Sequence, residues 1–109
     1  AIIAHRTGDP RALEYAQKAY ALAADDPLVN DTLGWILTRA GKPDEALLHL
    51  RNALIRQGDN AAIRYHLAAA LAQLGRTKEA VKELDAALKS GQLFEGLDEA
   101  KILRMRLGE

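Results

Sequence analysis

Residues 31–54 read DTLGWILTRAGKPDEALLHLRNAL, and their skeleton returns thirty-four residues later. Leu33, Leu37, Gly41, Glu45, Ala46, Leu50, Ala53 and Leu54 match Leu67, Leu71, Gly75, Glu79, Ala80, Leu84, Ala87 and Leu88, each pair offset by 34 with no gap. A fixed period of this length marks stacked supersecondary units, none of which can bury its apolar face alone.

The mechanics of one unit follow from its punctuation. Asp26-Pro27 starts a helix, because the carboxylate accepts from free amides and proline sits where no amide donor is needed. Leu28, Val29, Leu33, Ile36, Leu37 and Ala40 follow at helical spacing, and Gly41 ends the run. Lys42-Pro43 opens a second helix with Ala46, Leu47, Leu50, Ala53 and Leu54 on one face, stopping near Gly58. A connection of about three residues forces the two helices antiparallel. The unit 61–94 repeats the plan, with Asn60 as its cap, Gly75 in the place of Gly41, and Ser90-Gly91 as its close. Residues 1–26 form a partial repeat. Ala12 and Ala19 stand 34 before Ala46 and Ala53, and residues 1–6 are expected as the tail of a truncated helix. Residues 95–109 are expected to form a capping helix, apolar at Leu97, Ala100, Leu103 and Leu107 and charged at Asp98, Glu99, Lys101, Arg104 and Arg106. The fold class expected is all-α, a single domain of antiparallel helix pairs stacked as a right-handed α-solenoid, cut from a longer array.

Composition narrows the function. Lys and Arg number 15, as do Asp and Glu, so no net charge points to nucleic acid or an anionic membrane. The longest apolar run, residues 67–72, falls far short of the roughly 20 residues that span a bilayer. With no cysteine, disulfides and thiolate metal sites are excluded. His5, His49 and His66 lack metal-ligand spacing and read as surface or inter-helix histidines. Glu45 and Glu79 suit the helix dipole better than acid–base catalysis. No nucleophile neighbours a base, and the glycine turns lack the context of a phosphate loop. Neither a cofactor nor an enzymatic role is expected.

The 34-residue helix–turn–helix with Leu33-Gly34, Ala46 and Leu50, echoed by Leu67-Ala68, Ala80 and Leu84, resembles the tetratricopeptide repeat. It departs from that pattern where Asn30 and Arg64 replace tryptophan, Leu37 and Leu71 replace an aromatic, and Gly58 and Gln92 replace the closing proline; each change is expected to weaken a packing contact. Asp31-Thr32-Leu33-Gly34-Trp35, Tyr65-His66-Leu67-Ala68 and Phe94-x-Gly96 further resemble the last repeats of long bacterial members, some associated with exopolysaccharide export and exosortase-type sorting. That likeness implies a periplasmic or membrane-associated parent lipoprotein.

The resemblance implies a concave groove lined by first helices that binds a peptide or helix of another protein. Carried to matching positions, the groove residues are Leu28, Asp31, Trp35, Thr38, Arg39, Tyr65, Ala69 and Gln73, with Ala62 and Ala72 beside them and His5 and Ala1 from the partial repeat. Trp35 lies off the core stripe and is either a binding anchor or filler between first helices; Tyr65 invites the same choice. Asp31, Arg39, Arg64 and Gln73 either orient a bound segment or form a solvated face. The Lys–Asn–Arg set that grips a C-terminal carboxylate is missing. The expected function is a scaffold or adaptor module holding a partner protein, without nucleic acid or membrane insertion. The alternative is a structural end-cap and spacer without a ligand, self-associating through an apolar edge of Ile2, Ile3 and Leu13.

Overall fold

The computed structural model describes residues 10–108, and the expectations for Ala1, Ile2, Ile3 and His5 lie outside them. Among the described residues the regular structure is entirely helical: α1 (Pro10–Leu22), α2 (Pro27–Arg39), α3 (Pro43–Arg56), α4 (Ala61–Gln73), α5 (Thr77–Lys89) and α6 (Leu97–Leu107). The tightest packing joins α2 with α3 and α4 with α5, while α3 meets α4 and α5 meets α6 from one unit to the next.

The helix ends obey the local chemistry. Asp26 accepts from the amides of Leu28 (2.8 Å) and Val29 (3.4 Å), and Asn60 accepts from that of Ile63 (3.2 Å). At the first turn between paired helices, the Gly41 amide donates to the Thr38 carbonyl (3.1 Å) and the Lys42 amide to that of Leu37 (2.9 Å). At the second, Gly75 donates to Ala72 (3.0 Å) and Arg76 to Leu71 (2.9 Å). Both are Schellman caps, and glycine supplies the positive φ, 80° at Gly41 and 77° at Gly75.

The core is the repeating apolar set. Leu33, Leu37, Ala46, Leu50 and Ala53 are buried, as are Leu67, Leu71, Ala80, Leu84 and Ala87. Among the described side chains of α1, Ala16 is the buried one, while Ala19, the counterpart of buried Ala53, is exposed. The last helix buries Ala100 and half-buries Leu97, Leu103 and Leu107. Its outer face is not purely charged, since Ile102 and Met105 are exposed, while Arg104 turns inward to Asp85 (2.8 Å).

The departures from the repeat pattern are filled by hydrogen bonds. Buried Asn30 donates through Nδ2 to the carbonyls of Ala24 (2.8 Å) and Asp26 (3.1 Å), and its Oδ1 lies 3.2 Å from His49 Nδ1. Thirty-four residues on, Arg64 donates to the Gly58 carbonyl (3.0 Å) and to Glu83 (2.7 Å). Gln92, at the place of the closing proline, accepts from the Ala61 amide (2.9 Å) and donates to the Asp59 carbonyl (2.5 Å).

Candidate functional site

The first helices α2 and α4 lie side by side and are pinned by pairs about thirty-five residues apart. Asp31 Oδ1 accepts from His66 Nδ1–H at 2.7 Å, and Gln73 Nε2 donates to the Thr38 carbonyl at 2.9 Å. Between these pins, the Trp35 ring stacks on His66 with centroids 4.2 Å apart and planes at 21°. Trp35 also meets Tyr65 at 5.4 Å, and Tyr65 continues to Phe94 at 6.2 Å. The rings thus run from α2 across α4 to the segment leading into α6.

Two clefts open on this surface. One, of about 710 Å³, is lined by Asp31, Trp35, Arg39, Ala62, Tyr65, His66, Glu95, Gly96 and Glu99. The other, of about 500 Å³, is lined by Tyr65, Ala69, Ala72, Gln73, Glu99, Ile102, Leu103 and Arg106. They share Tyr65 and Glu99 in their walls and so adjoin, a track of two clefts along α2, α4 and α6. Gly96, at φ 100°, brings the chain so close to Tyr65 that a Cβ there would stand 2.8 Å from the ring. Burial first, then the Glu99 carboxylate, pushes the Tyr65 phenol above its usual range, and Arg39 partly offsets this. The hydroxyl therefore stays protonated.

The structure sorts the expected residues. Asp31, Trp35, Arg39 and Tyr65 line the first cleft, and Tyr65, Ala69 and Gln73 line the second. Leu28 is exposed and lines neither. Thr38 is a correction: only 1% of it is accessible, and its hydroxyl donates to the Gly34 carbonyl (2.8 Å). Its burial leaves nothing for a partner to touch. Arg64 is a second correction, because its guanidinium reaches Glu83 on α5 and the Gly58 carbonyl instead of the track. Trp35 is half-buried and Tyr65 only 8% exposed, so both rings pack between helices while also lining the first cleft.

Sequence reasoning missed His66, Glu95 and Glu99 as lining residues. A usable signal existed for His66, since 31 to 66 and 38 to 73 share one spacing between first helices. Among the described residues no cluster of His, Asp and Glu could hold a metal ion, and no helix is long and apolar enough to cross a membrane.

Repeated helix pairs with an open track along their first helices define a helical-repeat protein. The tetratricopeptide-repeat family model matches residues 37–95, more than half of the sequence, and the chain belongs to that family. Its members generally mediate protein–protein interaction and are typically non-enzymatic. The chain is also 44% identical over 55 residues to a TPR repeat-containing protein of Pseudomonas aeruginosa, a match covering 50% of this chain and 9% of that protein. It therefore spans only a small part of that relative's length. No solved structure matches the chain.

Proposed function

We propose that the wall formed by α2, α4 and α6 holds an extended segment or a helix of a partner protein, in a scaffold or adaptor role. The carrying observation is that the two clefts adjoin, sharing Tyr65 and Glu99 in their walls. Apolar contact comes from Trp35, Tyr65, Ala69, Ile102 and Leu103, and aromatic anchors of this kind concentrate binding energy. Asp31 and Arg39 set the orientation of the bound segment; Gln73 contributes what its bond to Thr38 leaves over.

The test uses peptides selected on the chain from a random displayed library. Trp35→Ala weakens their binding by about 1–3 kcal/mol while helical content is retained. Because Trp35 also stacks on His66, Ala69→Arg is the companion variant, filling the second cleft without touching that stack. Unchanged affinity in both helical variants retires the groove reading.

A second reading, a structural spacer that self-associates, draws on Met105, which is 77% exposed on α6 beside exposed Ile102. Sedimentation showing a monomer at high concentration sets it aside.

A further inference from the structure

We infer that the cleft between α2, α4 and the start of α6 receives a lysine or arginine side chain of the bound segment, an inference that rests on the groove reading above. Asp31, Glu95 and Glu99 line this cleft together with the rings of Trp35 and Tyr65. Asp31 is already engaged by His66 at 2.7 Å. Glu95 and Glu99 are exposed, and neither makes an ion pair with another described residue. Arg39 lines the same cleft, so one guanidinium stands against three carboxylates. Glu95 and Glu99 both stand where the chain enters α6, so two of the three carboxylates lie on that side of the cleft.

A cation fits this setting in two ways. Its charge complements Glu95 and Glu99, the two exposed carboxylates of the cleft. The alkyl stem of lysine or arginine covers apolar surface on the way in, as such side chains do elsewhere. An anionic side chain would meet the carboxylates of Glu95 and Glu99 at the start of α6. Because the whole chain carries no formal net charge, the preference is local and does not depend on long-range attraction.

The test selects random twelve-residue peptides displayed against the immobilised full chain, with parallel selections on Glu95→Gln/Glu99→Gln and on Trp35→Ala. Peptides enriched on the native chain are expected to carry Lys or Arg beside apolar residues. Synthesised singly, they should alter the emission of Trp35, the one tryptophan in the chain. Affinity should fall about tenfold against the double Gln variant, and about tenfold when the basic residue is replaced by norleucine. Both glutamates are exposed, so the variant keeps its fold, checked by circular dichroism. Enriched peptides that bind through Trp35 without a basic preference overturn the cation inference and leave the groove reading standing. No enrichment, or equal affinity for Trp35→Ala and Ala69→Arg alike, overturns the groove reading and this inference with it.

Discussion

At Gly34 the backbone of α2 passes directly over Leu50 of α3. A Cβ at this position would stand 2.5 Å from Leu50 Cγ and 2.8 Å from its Cδ2. Leu50 is fully buried and cannot swing away, so Gly34→Ala must displace the side chain at the centre of its repeat. The overpacking cost of about 1–3 kcal/mol exceeds the roughly 1 kcal/mol that alanine gains in a helix. The variant should therefore lose about 1 kcal/mol, read as a lower urea midpoint at unchanged slope. A midpoint that rises would mean α2 and α3 can part without penalty. Ala68 holds the equivalent place in the next unit, and the need for a small residue at both was legible in the sequence. That Thr38 would be sealed was not. The family resemblance put it on the groove side of α2, but α4 packs close there, with Gln73 bonding to its carbonyl, and it is buried.

Within each helix pair, one bracket recurs in two chemistries. Asn30 reaches back to Ala24 and across to His49, while Arg64 reaches back to Gly58 and across to Glu83, with the same sequence spacings in both units. The sequence showed that an aromatic was absent at these positions and suggested weaker packing. It did not show the partners, because the bonds depend on which side chains the antiparallel turn brings opposite. Asn30→Ala takes the side-chain donor from the Ala24 carbonyl and the acceptor from His49, while the Asp26 carbonyl keeps the Asn30 amide, and should cost about 1–2 kcal/mol. A double-mutant cycle on Arg64 and Glu83 should give a coupling of about 1 kcal/mol, since that pair keeps some contact with solvent. The Asn30 bracket also carries a pH signature. Asn30 Oδ1 can only accept, so His49 donates from Nδ1–H, and burial lowers the His49 pKa from its usual 6.5, with Glu45 pulling weakly the other way. The unfolded chain then binds the proton more readily than the folded one. Stability from this group is fully present above about pH 6.5 and is lost as the pH falls through and below that value. His49→Gln should flatten the acid side of the stability profile measured by urea titration; an unchanged slope between pH 7 and 5 would assign the acid sensitivity elsewhere.

Across the whole molecule, α6 belongs both to the core and to the track. Its apolar side was readable from Leu97, Ala100, Leu103 and Leu107, and these do pack inward. Its charged residues read as a solvated cap, because nothing in the local pattern shows that Glu95 and Glu99 border a cleft walled by residues some thirty to sixty positions earlier. Ending the chain at Phe94 separates the two roles of this helix from the repeats themselves. Losing one buried and three half-buried apolar side chains should cost about 3 kcal/mol, with a smaller denaturant slope as less surface is exposed on unfolding. Units that touch mainly their neighbours should otherwise keep their order, so α2–α3 ought to remain helical while α5, stripped of its cover, opens first. The Asp31–His66 and Trp35–His66 contacts lie wholly within α2 and α4, and the stack should outlast the truncation as judged by near-ultraviolet dichroism of Trp35. Both clefts, however, lose a wall, so selected peptides should bind the shortened chain at least tenfold more weakly despite an intact tryptophan stack. Full binding without α6 would mean that the track is built by α2 and α4 alone, and that the last helix serves only to cover α5.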